Sequence, residues 1–109
     1  MSIDRREHKR LAAHWRAALQ LGDEILHGRT EDVSMGGACV LSEKSIPVGT
    51  TCLVYLEVPV PERQTKIPIR IEAKVVLSTL VGNISQFRIG LKFASLTPED
   101  QALLKSKLV

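Results

Sequence analysis

Two short stretches concentrate the side chains able to do chemistry. The first, RREHKR at residues 5–10, places Arg5, Arg6, Lys9 and Arg10 within six positions. Cations this close repel one another unless water or an anion compensates them. The second, EDVSMGGACV at residues 31–40, holds Asp32 and Ser34 two apart, so an extended backbone sends both side chains to one side. Gly36 and Gly37 follow, permitting a sharp turn and a close approach by a ligand or another backbone. The guanidiniums of Arg6 and Arg10 suit bidentate pairing with phosphate or with the O6/N7 edge of guanine, and can stack flat on a purine. Asp32 offers an acceptor for the N1–H and N2 donors on guanine's other edge, and Ser34 offers a hydroxyl. A guanine nucleotide with phosphates would use every one of these groups. Each stretch alone also has a simpler structural reading. A charged terminus is commonly a solvated arm, and an Asp/Ser pair before glycines commonly satisfies the backbone donors of its own turn.

Elements of two kinds must position these residues. From Ile67 to Val75, apolar Ile67, Ile69, Ile71, Ala73 and Val75 alternate with Pro68, Arg70, Glu72 and Lys74, the pattern of a half-buried strand. Phe87, Ile89, Leu91 and Phe93 repeat it; Val54, Leu56 and Val58 suggest another strand, and Trp15, Ala17, Leu19 and Leu21 an earlier one. Turn signals separate them at Gly22, Gly28, Gly36-Gly37, Pro47 to Gly49 and Gly82-Asn83, and Pro59 to Gln64 reads as a polar excursion. The end differs. Thr97 suits an N-cap, Pro98 the first helical position, and Glu99 and Asp100 the positive end of the dipole, while Leu103, Leu104 and Leu108 share one face. About six strands followed by one helix predict an all-β antiparallel sheet that closes into a small barrel, with the helix over an opening.

Composition bounds the function. The chain has 109 residues, 44% hydrophobic and 25% charged, which suits one globular domain. No apolar run reaches the ~20 residues of a transmembrane helix, and no apolar signal segment follows the N-terminal charges, so no membrane insertion and a cytoplasmic location are expected. Cys39 and Cys52 lack zinc-ligand spacing and are expected to be free thiols. The formal charge is only +3, but Arg5, Arg6, Lys9, Arg10 and Arg16 face only Asp4 and Glu7 in the first 16 residues, and the remainder balances. That distribution favours a local anion site over a broadly basic surface.

The order Arg6-x-x-x-Arg10, then Asp32-x-Ser34-x-x-Gly37, resembles the two-part signature of PilZ domains, bacterial receptors for cyclic di-GMP: RxxxR on an N-terminal loop and (D/N)xSxxG on an early strand. The tail RIGLKFASLTPEDQALLKSKL is similar to that family's last strand and C-terminal helix. The resemblance implies a single domain over 1–109: a flexible ligand-binding loop (1–13), a six-stranded antiparallel β-barrel (14–96) and a short C-terminal α-helix (97–109). It implies that Arg6 and Arg10 bind guanine Hoogsteen edges and phosphates, that Asp32 and Ser34 contact a guanine, and that Gly36 and Gly37 leave space beside it. A basic residue at the position of Arg5 goes, in the family, with an intercalated dimer of cyclic di-GMP rather than one molecule. Leu77 stands where many members carry a ligand-packing Trp, and its loss of stacking is worth ~1–3 kcal/mol. No other cofactor and no metal are implied.

Other function classes fit less well. His8, His14 and His27 have no metal-ligand spacing and no nucleophile elbow is present, so no catalytic residue is expected. A platform for single-stranded nucleic acid needs aromatic faces, and only 4% of residues are aromatic; no nucleic acid polymer is expected as partner. The remaining alternative is a protein-interaction adaptor with little or no ligand binding. Either way the resemblance implies a downstream protein partner in motility, chemotaxis, polysaccharide or biofilm control.

Overall fold

Alternation of apolar and polar side chains runs through most of residues 10–108, the part of the chain that the computed structural model describes. It produces seven strands and one helix: β1 (Leu11–Ala12), β2 (Arg16–Leu21), β3 (Glu24–Val33), β4 (Gly37–Ser42), β5 (Thr51–Val60), β6 (Thr65–Val81), β7 (Gln86–Phe93) and α1 (Pro98–Lys107), with a 3-10 turn at Pro61–Arg63. All pairings are antiparallel, in the order β1-β3-β2-β5-β6-β7-β4, and an additional β3–β4 pairing joins the far ends. The six longer strands thus form a closed ring, which leaves no long edge exposed to pairing with another chain.

The inward alternation builds one core. Val33, Val40, Val54, Leu56, Val58, Val75 and Ile89 are fully buried within it. Leu104 of α1 joins the same core, with Leu96 and Leu103 packed alongside. The helix begins as its sequence suggests: the Thr97 hydroxyl accepts from the Asp100 backbone N–H at 3.2 Å, and Pro98 follows the cap. Both cysteines are free and buried. No described helix is long and apolar enough to cross a membrane.

The turn expected at Gly28 is absent, since Gly28 lies inside β3, and three further details differ from the sequence-based expectation. There are seven strands rather than six, because Leu11–Ala12, inside the segment expected to be loop, pairs with Val33 and Asp32. The early strand starts at Arg16 rather than Trp15. The strand expected to end at Val75 continues to Val81: its first part pairs with β5 and its last part with β7. The register shifts between Val75 and Leu77, so an extra residue interrupts strict alternation where the partner changes.

Candidate ligand-binding site

Two bulges set the site. In β3 the register against β4 shifts between Thr30 and Asp32, which leaves Glu31 as the extra residue. In β6 the equivalent shift leaves Val76 extra, just before Leu77. Bulges sharpen twist and re-aim the side chains that follow them. Asp32 and Leu77 each follow one, and the pairings Ala12–Asp32, Asp32–Cys39, Cys39–Gly90 and Gly90–Leu77 put them in a single row across four neighbouring strands and β1. Leu77 lies over Gly90, where a Cβ would come within 2.9 Å of the leucine Cβ. Its side chain is 44% exposed, an apolar surface on the ring's outer side.

β1 brings the first motif to the second. Because Leu11 and Ala12 pair with Val33 and Asp32, the preceding Arg10 stands beside Asp32. The Arg10 Nε donates to Asp32 Oδ1 at 3.0 Å, and Nη2 donates to the same oxygen. Thr30 anchors the chain that follows β1: its buried hydroxyl donates to the Ala13 carbonyl and accepts from the Trp15 N–H at 2.8 Å. The Ala13 N–H also donates to the Glu31 carbonyl, at 3.2 Å.

Ser34 lies just beyond β3 and is buried. Its hydroxyl donates to the Gly37 carbonyl at 3.3 Å and accepts from the N–H groups of Gly36 and Gly37, each at 3.2 Å. The Ser34 N–H donates to the same carbonyl at 2.8 Å, closing the turn. For Ser34 the turn-forming alternative is therefore realised, whereas Asp32 pairs with an arginine instead of its own backbone. Gly37 is held by another backbone: a Cβ there would fall 2.1 Å from the Leu91 carbonyl oxygen. The Gly36 carbonyl meanwhile accepts from the Phe93 N–H at 2.8 Å.

Beside Asp32 sits a second ion pair. Arg88 of β7 donates from Nε to Glu31 Oε1 at 2.5 Å and from Nη2 to Oε2 at 3.1 Å, a fork-to-carboxylate geometry. The Arg88 hydrogen bond, helped by the Cys39 thiol and opposed by burial, holds the Glu31 carboxyl below its ordinary value. The Cys39 thiol donates to Glu31 Oε1 at 3.5 Å. Burial first, then the negative charge of Asp32 and the bond to Glu31, push that thiol up to about 12, so it stays protonated at neutral pH.

An open cleft of about 1010 Å³ adjoins these groups, with Arg10 and the Ser34–Gly37 turn on one wall and Gln101, Ala102 and Lys105 of α1 on another. Asp32 and Leu77 are not among its lining residues. Arg10 touches both the cleft and, through Asp32, the outer row. Among the described residues, no cluster of three metal-ligating side chains occurs.

A family model of the PilZ domain matches residues 4–109. The chain belongs to the PilZ family. Its ring of strands with a terminal helix is the PilZ fold. It superimposes on the Bacillus subtilis inhibitor of motility (MotI/DgrA) with a TM-score of 0.84 at 20% identity, covering 97% of this chain and 50% of that one. It also matches the PilZ domain of Escherichia coli YcgR with c-di-GMP (TM-score 0.70, 18% identity, 96% and 89% covered). A third match is Borreliella burgdorferi PlzA in complex with c-di-GMP (TM-score 0.67, 18% identity, 97% and 42% covered). This chain thus spans about half the length of the B. subtilis structure. A search of curated proteins found no match.

Of the site residues expected from the sequence, Arg10, Asp32, Ser34, Gly36 and Gly37 come together at the bulged end of β3, and Leu77 lies in the Asp32 row. Arg5 and Arg6 lie outside the described residues. Sequence reasoning missed Thr30, Glu31 and Arg88. Glu31 stands next to Asp32 in the chain, yet alternation would send the two to opposite faces. Only the bulge puts both carboxylates on the outer side, and no local pattern announces a bulge there.

Proposed function

We propose that this PilZ protein is a receptor for the bacterial second messenger cyclic di-GMP. The observation that carries the proposal is the Arg10–Asp32 pair, which joins the two halves of the signature beside an open cleft. In the bound state Arg10 exchanges its carboxylate partner for a ligand phosphate or a guanine O6/N7 edge, with Arg6 and Arg5 contributing further guanidiniums. Asp32, released, accepts from guanine N1–H and N2. Exchanging one charge-assisted pair for two keeps both groups compensated throughout, so neither charge is left unpaired. Ser34 and Gly37 hold the turn that places Asp32, and Ser34 reaches a ligand only by giving up one of its turn bonds. Leu77 supplies apolar packing in place of an aromatic ring.

The binding of c-di-GMP by the solved YcgR and PlzA proteins supports this reading through the shared fold. The ligand is taken as one molecule or as an intercalated pair, the latter favoured by Arg5. The receptor acts by ordering its N-terminal segment and altering a protein–protein contact, in the cytoplasm, in motility or biofilm control; the name of the B. subtilis inhibitor of motility supports the first of these. An adaptor role without ligand is the second reading. It is favoured by Val76, Leu77 and Leu80, which are 50%, 44% and 57% exposed on β6.

Isothermal titration with cyclic di-GMP, with GTP and cyclic di-AMP as controls, tests the proposal. Saturable binding of cyclic di-GMP alone supports the receptor, and the stoichiometry separates one molecule from a pair. Absence of heat and of any thermal shift at high ligand concentration overturns it in favour of the adaptor.

A further inference from the structure

The cleft between the Ser34–Gly37 turn and α1 has a one-sided charge. Its charged lining residues are Arg10, Lys92 and Lys105, all cations. Arg10 is already compensated by Asp32. The other ion pairs among the described residues are Glu24–Lys44, Glu57–Lys66 and Glu31–Arg88, so no described carboxylate lies within ion-pair reach of Lys92 or Lys105. Glu99 and Asp100 of the same helix do not line the cleft. A second cleft, of about 810 Å³, shares Lys92 but also contains Lys74 and Glu72, so it holds a carboxylate of its own.

Placement relative to the signature is equally specific. Lys92 is the cross-strand partner of Gly37, and a Cβ at position 37 would sit 3.5 Å from the Lys92 Cα. The lysine therefore stands directly beside the side-chain-free position of the turn. Lys105 approaches from α1, a separate element anchored in the core by Leu104, the residue before it. A volume near 1010 Å³ is at the upper end of small-molecule sites and accommodates a dinucleotide.

We infer that Lys92 and Lys105 are ligand-binding residues that take the anionic phosphodiesters of the cyclic dinucleotide, and that α1 is thereby one wall of the site. This rests on the receptor reading above and extends it to two residues outside the signature. Two lysines from different elements converging on one anion bring α1 and β7 under the same ligand. Occupancy of the cleft then bears directly on the position of the C-terminal helix, which gives the bound state a surface on α1 distinct from that of the free state.

The test is titration of cyclic di-GMP into the wild-type protein and into Lys92→Ala, Lys105→Ala and Lys107→Ala, at two salt concentrations. Lys107 is a last-turn lysine outside the cleft lining and serves as the control. Lys92→Ala and Lys105→Ala are each expected to raise Kd about tenfold and to flatten its salt dependence, with Lys107→Ala unchanged. Backbone amide resonances of residues 101–105 are expected to shift on ligand addition. Thermal melting reports whether each variant is folded. Wild-type Kd in both cleft variants, while the wild-type protein binds cyclic di-GMP, overturns the inference and leaves the receptor reading intact. No binding by the wild-type protein overturns both.

Discussion

The guanidinium of Arg10 and the carboxylate of Asp32, 22 residues apart in the chain, meet through two donors on one oxygen, Oδ1. The meeting depends on β1, whose two residues continue the β2 side of the ring past the Glu31 bulge and end Arg10 at the height of Asp32. The pair is partly exposed, each side chain retaining 30% of its accessible surface.

That exposure separates binding from stability. An ion pair this open contributes ~0–1 kcal/mol to folding, so Arg10→Ala is expected to melt close to wild type. Its loss of a charge-assisted ligand contact is expected to cost ~1.5–3 kcal/mol in cyclic di-GMP affinity, tenfold or more in Kd. Asp32→Ala is expected to weaken discrimination between cyclic di-GMP and cyclic di-AMP while the fold persists. Calorimetric titration and thermal melting of the two variants check this, and wild-type affinity in Arg10→Ala would remove Arg10 from the site.

Gly37 makes the opposite prediction. An alanine Cβ would lie 2.1 Å from the Leu91 carbonyl oxygen, which cannot move without breaking the β4–β7 ladder. Gly37→Ala is expected to destabilise by about 3 kcal/mol or more. Gly82→Ala, where an added Cβ meets nothing within 4 Å, is expected to stay within ~0.5 kcal/mol of wild type or to gain slightly. Urea unfolding of both variants checks this, and a Gly37→Ala variant as stable as wild type would show that packing against Leu91 does not require the glycine.

The Glu31–Arg88 pair sets a pH dependence. Because the folded-state pKa of Glu31 is depressed, chiefly by the Arg88 hydrogen bond, the unfolded chain binds the proton more readily. The associated stability is fully present above the ordinary value of 4.5 and is lost as pH falls through the lower folded value. In Arg88→Ala that part of the acid dependence is expected to flatten. Melting temperatures of wild type and variant from roughly pH 2 to 6 check it, and parallel curves would show that the pair is not what holds Glu31 ionised.

Cys39 is expected to be nearly inert. With its thiol pushed up to about 12, almost none is thiolate at neutral pH, and thiolate is the reactive form. Cys52 is likewise raised, by burial alone. Alkylation by iodoacetamide is expected to be slow in the folded protein and to accelerate to the rate of a free cysteine in denaturant. Fast labelling of Cys39 in the native state would contradict its burial against Glu31.

The periodic parts of this molecule could be read from the chain alone, because a strand's inward and outward positions are set two residues at a time. The alternations at Val54–Val58 and Phe87–Phe93 became β5 and β7, although β5 runs beyond its expected ends to Thr51 and Val60. Thr97 and Pro98 started the helix, since capping is a contact within a single turn. The signature residues could be named for the same reason: types and spacing are local. What neighbours each of them was decided only in three dimensions. The bulges at Glu31 and Val76 lie in strands that pair with a different neighbour on each edge, β3 with β2 and β4 and β6 with β5 and β7, and each breaks the alternation that makes a strand legible. The Arg88–Glu31 pair spans 57 residues and depends on β4 lying between β3 and β7. Ring closure likewise carries Leu77 into the row of Asp32 and sets Lys92 beside Gly37. Local spacing determined which groups this protein has for binding an anion; closure of the sheet, a sum of pairings between distant segments, determined which of them stand together.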